Sequence, residues 1–169
     1  MGVPKEPGWL VDARRRLGTR EAAGSANSPT ILGWAKRLGT RVLGMIYNAD
    51  SVPWCGVFVA DCLQQDGIVP AAIAVRATSW SAWGQALRPE RLAPGAVLVF
   101  ARPGGGHVGF YIGEDPTAYH VLGGNQGDAV TIARVAKARC IARRWPAGRP
   151  VIGKPVQRAA RTPISNDEA

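Results

Sequence analysis

The chain has 169 residues, of which 46% are hydrophobic, and its formal net charge is +9. This length suits one domain with a substantial core, and no apolar run is long enough for a transmembrane helix. Its three cysteines, Cys55, Cys62 and Cys140, are an odd number without a Cys-x-x-Cys pair, which argues against a disulfide framework and a zinc site. We therefore expect a soluble globular protein without a metal centre.

The positive charge is uneven along the chain. Residues 1–45 carry 8 Lys and Arg against 3 Asp and Glu, residues 46–133 carry 4 against 7, and residues 134–169 carry 9 against 2. Basic ends suit nucleic acid, the anionic polymers of a cell envelope, or solubility alone. Charge by itself leaves all three interpretations open.

Apolar residues at helical spacing predict a helix over residues 9–17 and a second over residues 29–38. Ser28 is the expected N-cap of the second helix, because proline at the next position is suited to a first helical turn. Residues 40–52 lose this pattern and are predicted to form a loop, in which Asp50 either caps the chain or lines the cleft; we expect the structural role. We expect both helices to be packing elements.

A third helix is predicted to carry a cysteine at its start. Pro53 suits the opening turn, and Val59, Cys62 and Leu63 recur at helical spacing, so Cys55 should lie in the first turn. Free N–H groups and the helix dipole favour an anion there, which would lower the pKa of the thiol from about 8.5 to roughly 3.5–7.5. The alternative is that Cys55 is simply a small buried residue.

A histidine follows in a position that suits a catalytic base. Three glycines at residues 104–106 precede alternating residues from His107 to Ile112, which predicts that His107 begins a strand. A cysteine on a helix, a histidine on a later strand and a polar residue after both are typical of papain-like enzymes.

Alternating residues predict five strands, at residues 96–101, 107–112, 119–122, 130–133 and 140–145. Helices followed by an antiparallel meander indicate an α+β fold. After Pro146 the chain is rich in Pro, Gly and Arg and loses periodicity. We therefore divide it into a domain over residues 1–147 and a basic, flexible tail over residues 148–169.

Six short motifs in this order resemble those of small papain-like peptidoglycan hydrolases of phages and bacteria, within the CHAP and NlpC-type cysteine peptidases and amidases. The similarity extends over residues 6–147 and implies a papain-like fold, with N-terminal helices packed on a C-terminal sheet. The motifs are Glu6-Pro7-Gly8-Trp9, Leu17-Gly18 with Glu21 and Gly24, Val52-Pro53-Trp54-Cys55, Gly106-His107-Val108-Gly109-Phe110, Leu122-Gly123-Gly124-Asn125-Gln126 and Arg144-Trp145-Pro146.

The resemblance implies that a Cys55 thiolate cleaves an amide bond of the cell-wall peptide, without a cofactor. His107 would act as general base and then general acid, and the Cys55 N–H would bind the oxyanion. The third catalytic member would be Asn125, which stands where CHAP enzymes often have the asparagine of a Glu-x-Asn pattern. The acidic residue of that pattern is missing, because Gly123 stands in its place. His120 is the alternative, since NlpC-type enzymes often use a histidine near that position.

Three further residues are candidates for binding substrate: Trp54, Trp80 and Gln126. Tryptophan beside a cleft can stack on sugar or peptide, and core packing is its other use. Gln126 either contacts substrate or supports a turn.

The expected partner is bacterial peptidoglycan, without an obligatory nucleic acid, and the protein should be a monomer unless it belongs to a phage particle. Met1 to Leu17 lacks the apolar stretch of a secretion signal. We expect synthesis in the bacterial cytoplasm and action on the wall after release, as an endolysin, or within a virion. The alternatives are a noncatalytic module that binds wall or nucleic acid, and a cysteine hydrolase for a different amide.

Overall fold

Residues 5–168, the part described by a computed structural model, form an α+β fold in which a few helices pack on a six-stranded antiparallel sheet. The helices are α1 (Gly8–Arg15), α2 (Pro29–Leu38), the single turn α3 (Thr40–Leu43) and α4 (Cys55–Gln65). Within these residues, no helix has both the length and the apolar character needed to cross a bilayer.

The strands are β1 (Gln85–Ala86), β2 (Val97–Arg102), β3 (Gly105–Glu114), β4 (Ala118–Gly123), β5 (Thr131–Ala136) and β6 (Cys140–Trp145). Their spatial order is β1-β6-β2-β3-β4-β5, so β2 to β5 form a meander. The predicted meander is wrong for β6, which returns to pair with the other edge of β2. The connection from β5 to β6 is a short 3-10 turn, Lys137–Arg139.

Helix α4 is the centre of the core. Every residue from Cys55 to Leu63 is buried, as expected for a helix covered on all sides. Aromatic rings link the layers: the Phe58 ring lies 5.8 Å from Trp34 of α2 and 6.0 Å from Phe110 of β3. The start of α4 is therefore held firmly against the sheet.

The first two helices largely follow the sequence prediction. Ser28 caps α2 by accepting a 3.3 Å hydrogen bond from the Ile31 N–H, and Gly39 ends the helix. Helix α1 ends at Arg15, two residues earlier than predicted, so Leu17 leaves the buried face and is 41% exposed. Asp50 has the structural role expected of it, because its carboxylate accepts the N–H groups of Ala22 and Ser28.

The chain after residue 147 lies against the sheet, whereas the sequence predicted a flexible tail. The Arg158 N–H donates to the Glu114 carbonyl at 2.8 Å, and the Ser165 N–H donates to the Arg134 carbonyl at 2.7 Å. Strand edges present unpaired backbone groups that another extended segment can satisfy. Such pairing does not require side-chain periodicity, which explains why the sequence pattern missed it.

Candidate active site

Cys55 is the first residue of α4. Its N-cap, Trp54, has no capping side chain, so the helix start keeps free N–H groups. Burial raises the pKa of the Cys55 thiol, although the backbone N–H groups of Val108, Gly56 and Cys55 face the sulfur and act in the opposite direction. The sequence expectation of a lowered pKa is therefore wrong, because Cys55 is only 3% exposed.

Two glycines allow the helix start to approach its neighbours. A Cβ on Gly56 would lie 2.1 Å from the Ala74 carbonyl oxygen. A Cβ on Gly124, in the turn between β4 and β5, would lie 2.7 Å from the Trp54 ring and 2.8 Å from Phe58. These spacings are too short for any side chain, so both positions require glycine.

His107 lies on β3, directly before Val108, whose N–H faces the Cys55 sulfur. The ring is 0% exposed and stacks on Phe100 at 6.3 Å between centroids. Burial lowers the pKa of His107 to about 4, although its hydrogen bond with Gln126 acts in the opposite direction. At neutral pH the Cys55 thiol and the His107 imidazole are therefore both uncharged.

Gln126 determines which nitrogen of His107 carries the proton. Its amide Nε2 donates to the carbonyls of Val121 at 3.2 Å and Thr131 at 2.8 Å, so the amide oxygen faces the ring. That oxygen lies 2.9 Å from His107 Nε2 and can only accept, so Nε2 is the protonated nitrogen. Nδ1 is left with a free lone pair, and this buried atom has no hydrogen-bond partner among the described residues.

The structure does not bring the two predicted third members to His107. Asn125 is buried with φ 60°, and this left-handed turn directs the next residue, Gln126, back to the ring. His120 instead bonds to Asp115 at 2.7 Å, and Asp115 is also held by Arg134 at 2.8 Å. The sequence predicted Asn125 as the residue that orients His107, whereas the side chain that holds the ring is that of the next residue, Gln126.

The three candidate substrate-binding residues are all buried. Trp54 donates its indole N–H to Glu21 Oε1 at 2.8 Å, and Trp80 donates to the Ala74 carbonyl at 3.1 Å. Gln126 is engaged with His107 and the β-sheet. In this structure each of the three is engaged in packing or positioning, and their contact with substrate stays a prediction.

Sequence reasoning overlooked Tyr47, which lies in the loop before α4. This half-buried phenol donates to the Val52 carbonyl at 2.7 Å. Burial raises the pKa of Tyr47, and negative charge at Asp50 and Glu21 adds to that effect. A tyrosine in an irregular loop offers no periodic signal that would have singled it out.

No model of a known protein family matches the chain, and a search of curated proteins finds no match either. Within residues 5–168, no three His, Cys, Asp or Glu side chains come close enough together to hold a metal ion. Function is therefore inferred from the geometry of Cys55, His107 and Gln126.

Proposed function

We propose that the chain is a papain-like cysteine hydrolase that cleaves an amide bond in the peptide of bacterial peptidoglycan. One observation carries this proposal: Gln126 fixes the His107 tautomer, so that the unpartnered Nδ1 is the basic nitrogen of a histidine that directly precedes Val108, whose N–H faces the Cys55 sulfur. A buried histidine in a purely structural role would normally have both ring nitrogens satisfied.

The proposed reaction begins with a neutral pair. His107 Nδ1 takes the proton from Cys55 Sγ as the sulfur attacks the amide carbonyl carbon. The Cys55 and Gly56 N–H groups, already directed toward the sulfur, would donate to the developing oxyanion. His107 then protonates the leaving amine, which yields a thioester on Cys55.

Water completes the cycle. His107, again neutral, accepts a proton from the water that attacks the thioester carbonyl. Collapse of the second tetrahedral intermediate releases the carboxylic acid and returns the proton to Cys55. Gln126 keeps the ring in one tautomer through both halves of the reaction.

Peptidoglycan is proposed as substrate on two grounds. The motifs over residues 6–147 resemble those of small phage and bacterial wall hydrolases, and the basic ends suit an anionic envelope. The reaction would be that of an endopeptidase or of an N-acetylmuramoyl-L-alanine amidase. We propose that the protein serves a phage, as an endolysin or as a lysin carried on the virion.

Mass spectrometry of purified peptidoglycan after incubation with the protein tests this function. Wild-type protein should release fragments with new peptide or glycan ends, and Cys55→Ala should release none. Cys140→Ala and Cys62→Ala are matched controls that remove a thiol elsewhere and should keep most of the activity. Equal loss in all three variants, or no fragments from several wall types, would refute the proposal.

A further inference from the structure

A buried carboxylate lies at the His107 end of the sheet. Glu168 is only 3% exposed, forms an ion pair with Arg139 and accepts a 2.8 Å hydrogen bond from the Ser165 hydroxyl. Glutamate is almost never buried unless its charge is paired. Arg139 is therefore the charge partner of this buried carboxylate.

Strand register places this ion pair beside the candidate site. Cys140, the residue after Arg139, pairs with Phe100, and Phe100 pairs with His107 on its other side. Arg139 also donates from Nε to the Ala101 carbonyl at 3.0 Å, which holds its side chain at this end of β2. Arg139 is therefore anchored one strand away from the candidate base.

The segment that carries Glu168 makes a second contact on the other side of His107. The Gly127 N–H donates to the Asp167 carbonyl at 2.9 Å, and Gly127 directly follows Gln126. The charges of Glu168 and Arg139 both act on His107, in opposite directions. Residues 167–168 thus lie like a short acidic peptide between Gln126 and Arg139.

We propose that Arg139 and the Gly127 N–H form a substrate subsite, in which Arg139 binds a carboxylate and Gly127 binds a peptide carbonyl. Glu168 and Asp167 occupy these positions in the present structure, as an internal acidic peptide. This inference rests on the proposed function and refines it: the favoured substrate carries a free carboxylate close to the scissile amide. A guanidinium suits that ligand because its planar fork matches a carboxylate.

Cys55 and His107 are both little exposed, and in this proposal residues 167–168 limit access to them. Substrate must displace residues 167–168, so weakening the Glu168 ion pair should open the site. The vacated Arg139 should then attract small anions more than neutral molecules of similar size.

Alkylation of Cys55 by iodoacetamide and by iodoacetate tests the subsite without any wall substrate. Both reagents form an S–C bond and release iodide, and they differ chiefly in charge. Peptide mass spectrometry would follow Cys55 separately from Cys62 and Cys140, with rates normalised to a free small thiol. Glu168→Gln should raise Cys55 alkylation by about tenfold or more, with the larger gain for iodoacetate.

Asp167→Asn is the matched control. It removes one negative charge, as Glu168→Gln does, but from the neighbouring residue, whose side chain is exposed. It should change both rates by less than about twofold. Adding Arg139→Gln to Glu168→Gln should keep the faster iodoacetamide reaction and abolish the preference for iodoacetate. Thermal unfolding would verify that each variant is folded.

The outcomes separate this inference from the proposed function. No gain in Glu168→Gln, an equal gain in Asp167→Asn, or a preference for iodoacetate that survives Arg139→Gln would overturn the subsite, whether or not peptidoglycan is cleaved. If charge-selective alkylation is found and peptidoglycan is left intact, the subsite stands and only the choice of substrate fails.

Discussion

His107 Nε2 and Gln126 Oε1 lie 2.9 Å apart, and this hydrogen bond decides both the orientation and the tautomer of the imidazole. An uncharged amide holds the ring without the negative charge of an aspartate, so it stabilises the imidazolium only weakly. The low pKa of His107, about 4, agrees with this, although burial is its largest cause.

Replacing Gln126 should impair turnover more than binding. Gln126→Ala removes the acceptor that selects the tautomer, and we expect kcat to fall by about tenfold to a thousandfold with little change in KM. Asn125→Gly and His120→Gln are the controls, and each should retain kcat within about threefold. Glycine is chosen at position 125 because it tolerates the observed φ of 60°. A larger loss in either control than in Gln126→Ala would contradict the assignment.

The activity of the protein should persist to unusually low pH. Catalysis needs neutral His107, so the acid limb of kcat/KM should follow its pKa of about 4 instead of the ordinary 6.5. Gln126→Glu places a negative charge beside the ring, favours the imidazolium and should move that limb upward. A pH profile of both proteins measures this, and a wild-type limb near 6.5 would show that His107 is hydrated in solution.

The same histidine should make stability depend on pH. Its folded pKa lies below its unfolded pKa, so the unfolded state binds more protons between about pH 6.5 and about pH 4, and stability falls as pH falls through this range. The loss at about pH 5 should be about 2 kcal/mol relative to neutral pH. Urea unfolding of wild type and His107→Gln isolates the effect, because the variant lacks this titration while keeping the others. Parallel pH dependences would refute it.

Gly124 should be essential for packing of the helix start. Gly124→Ala would place a methyl group 2.7 Å from the Trp54 ring, and we expect a loss of about 1–3 kcal/mol with reduced activity, because α4 must shift. Gly33→Ala is the matched control: Gly33 is an exposed position inside α2 with open space around its Cα, and alanine there should stabilise by up to about 1 kcal/mol. Denaturant midpoints compare the two, and equal effects would contradict the packing argument.

The buried carboxylate of α4 should depend on its arginines. Asp61 accepts hydrogen bonds from Arg16 at 2.6 Å and from Arg37 at 3.1 Å. Asp61→Ala should cost about 3 kcal/mol, because it leaves the nearly buried Arg16 without one of its partners. Arg37→Ala should cost about 1 kcal/mol or less, since that side chain is 49% exposed. A smaller loss for Asp61→Ala than for Arg37→Ala would reverse this ranking.

Local sequence signals predicted the elements and the two reactive side chains. Serine before proline predicted the start of α2, and helical spacing after Pro53 placed Cys55 at the start of α4. Alternation predicted the strands β2 to β6, with His107 near the start of β3. These features depend on neighbours within a few residues, so the sequence alone determined them.

Only the tertiary structure decided which side chain holds His107, whether Trp54 and Trp80 are accessible, and where residues 148–168 lie. The left-handed turn at Asn125 brings Gln126 to the ring, and no periodicity encodes that rotation. Burial raises the pKa of the Cys55 thiol more than the N-terminus of α4 lowers it, contrary to the sequence prediction. Burial of the thiol, strand-edge pairing and the Arg139–Glu168 ion pair all depend on residues distant in the chain, so they exist only in the folded protein.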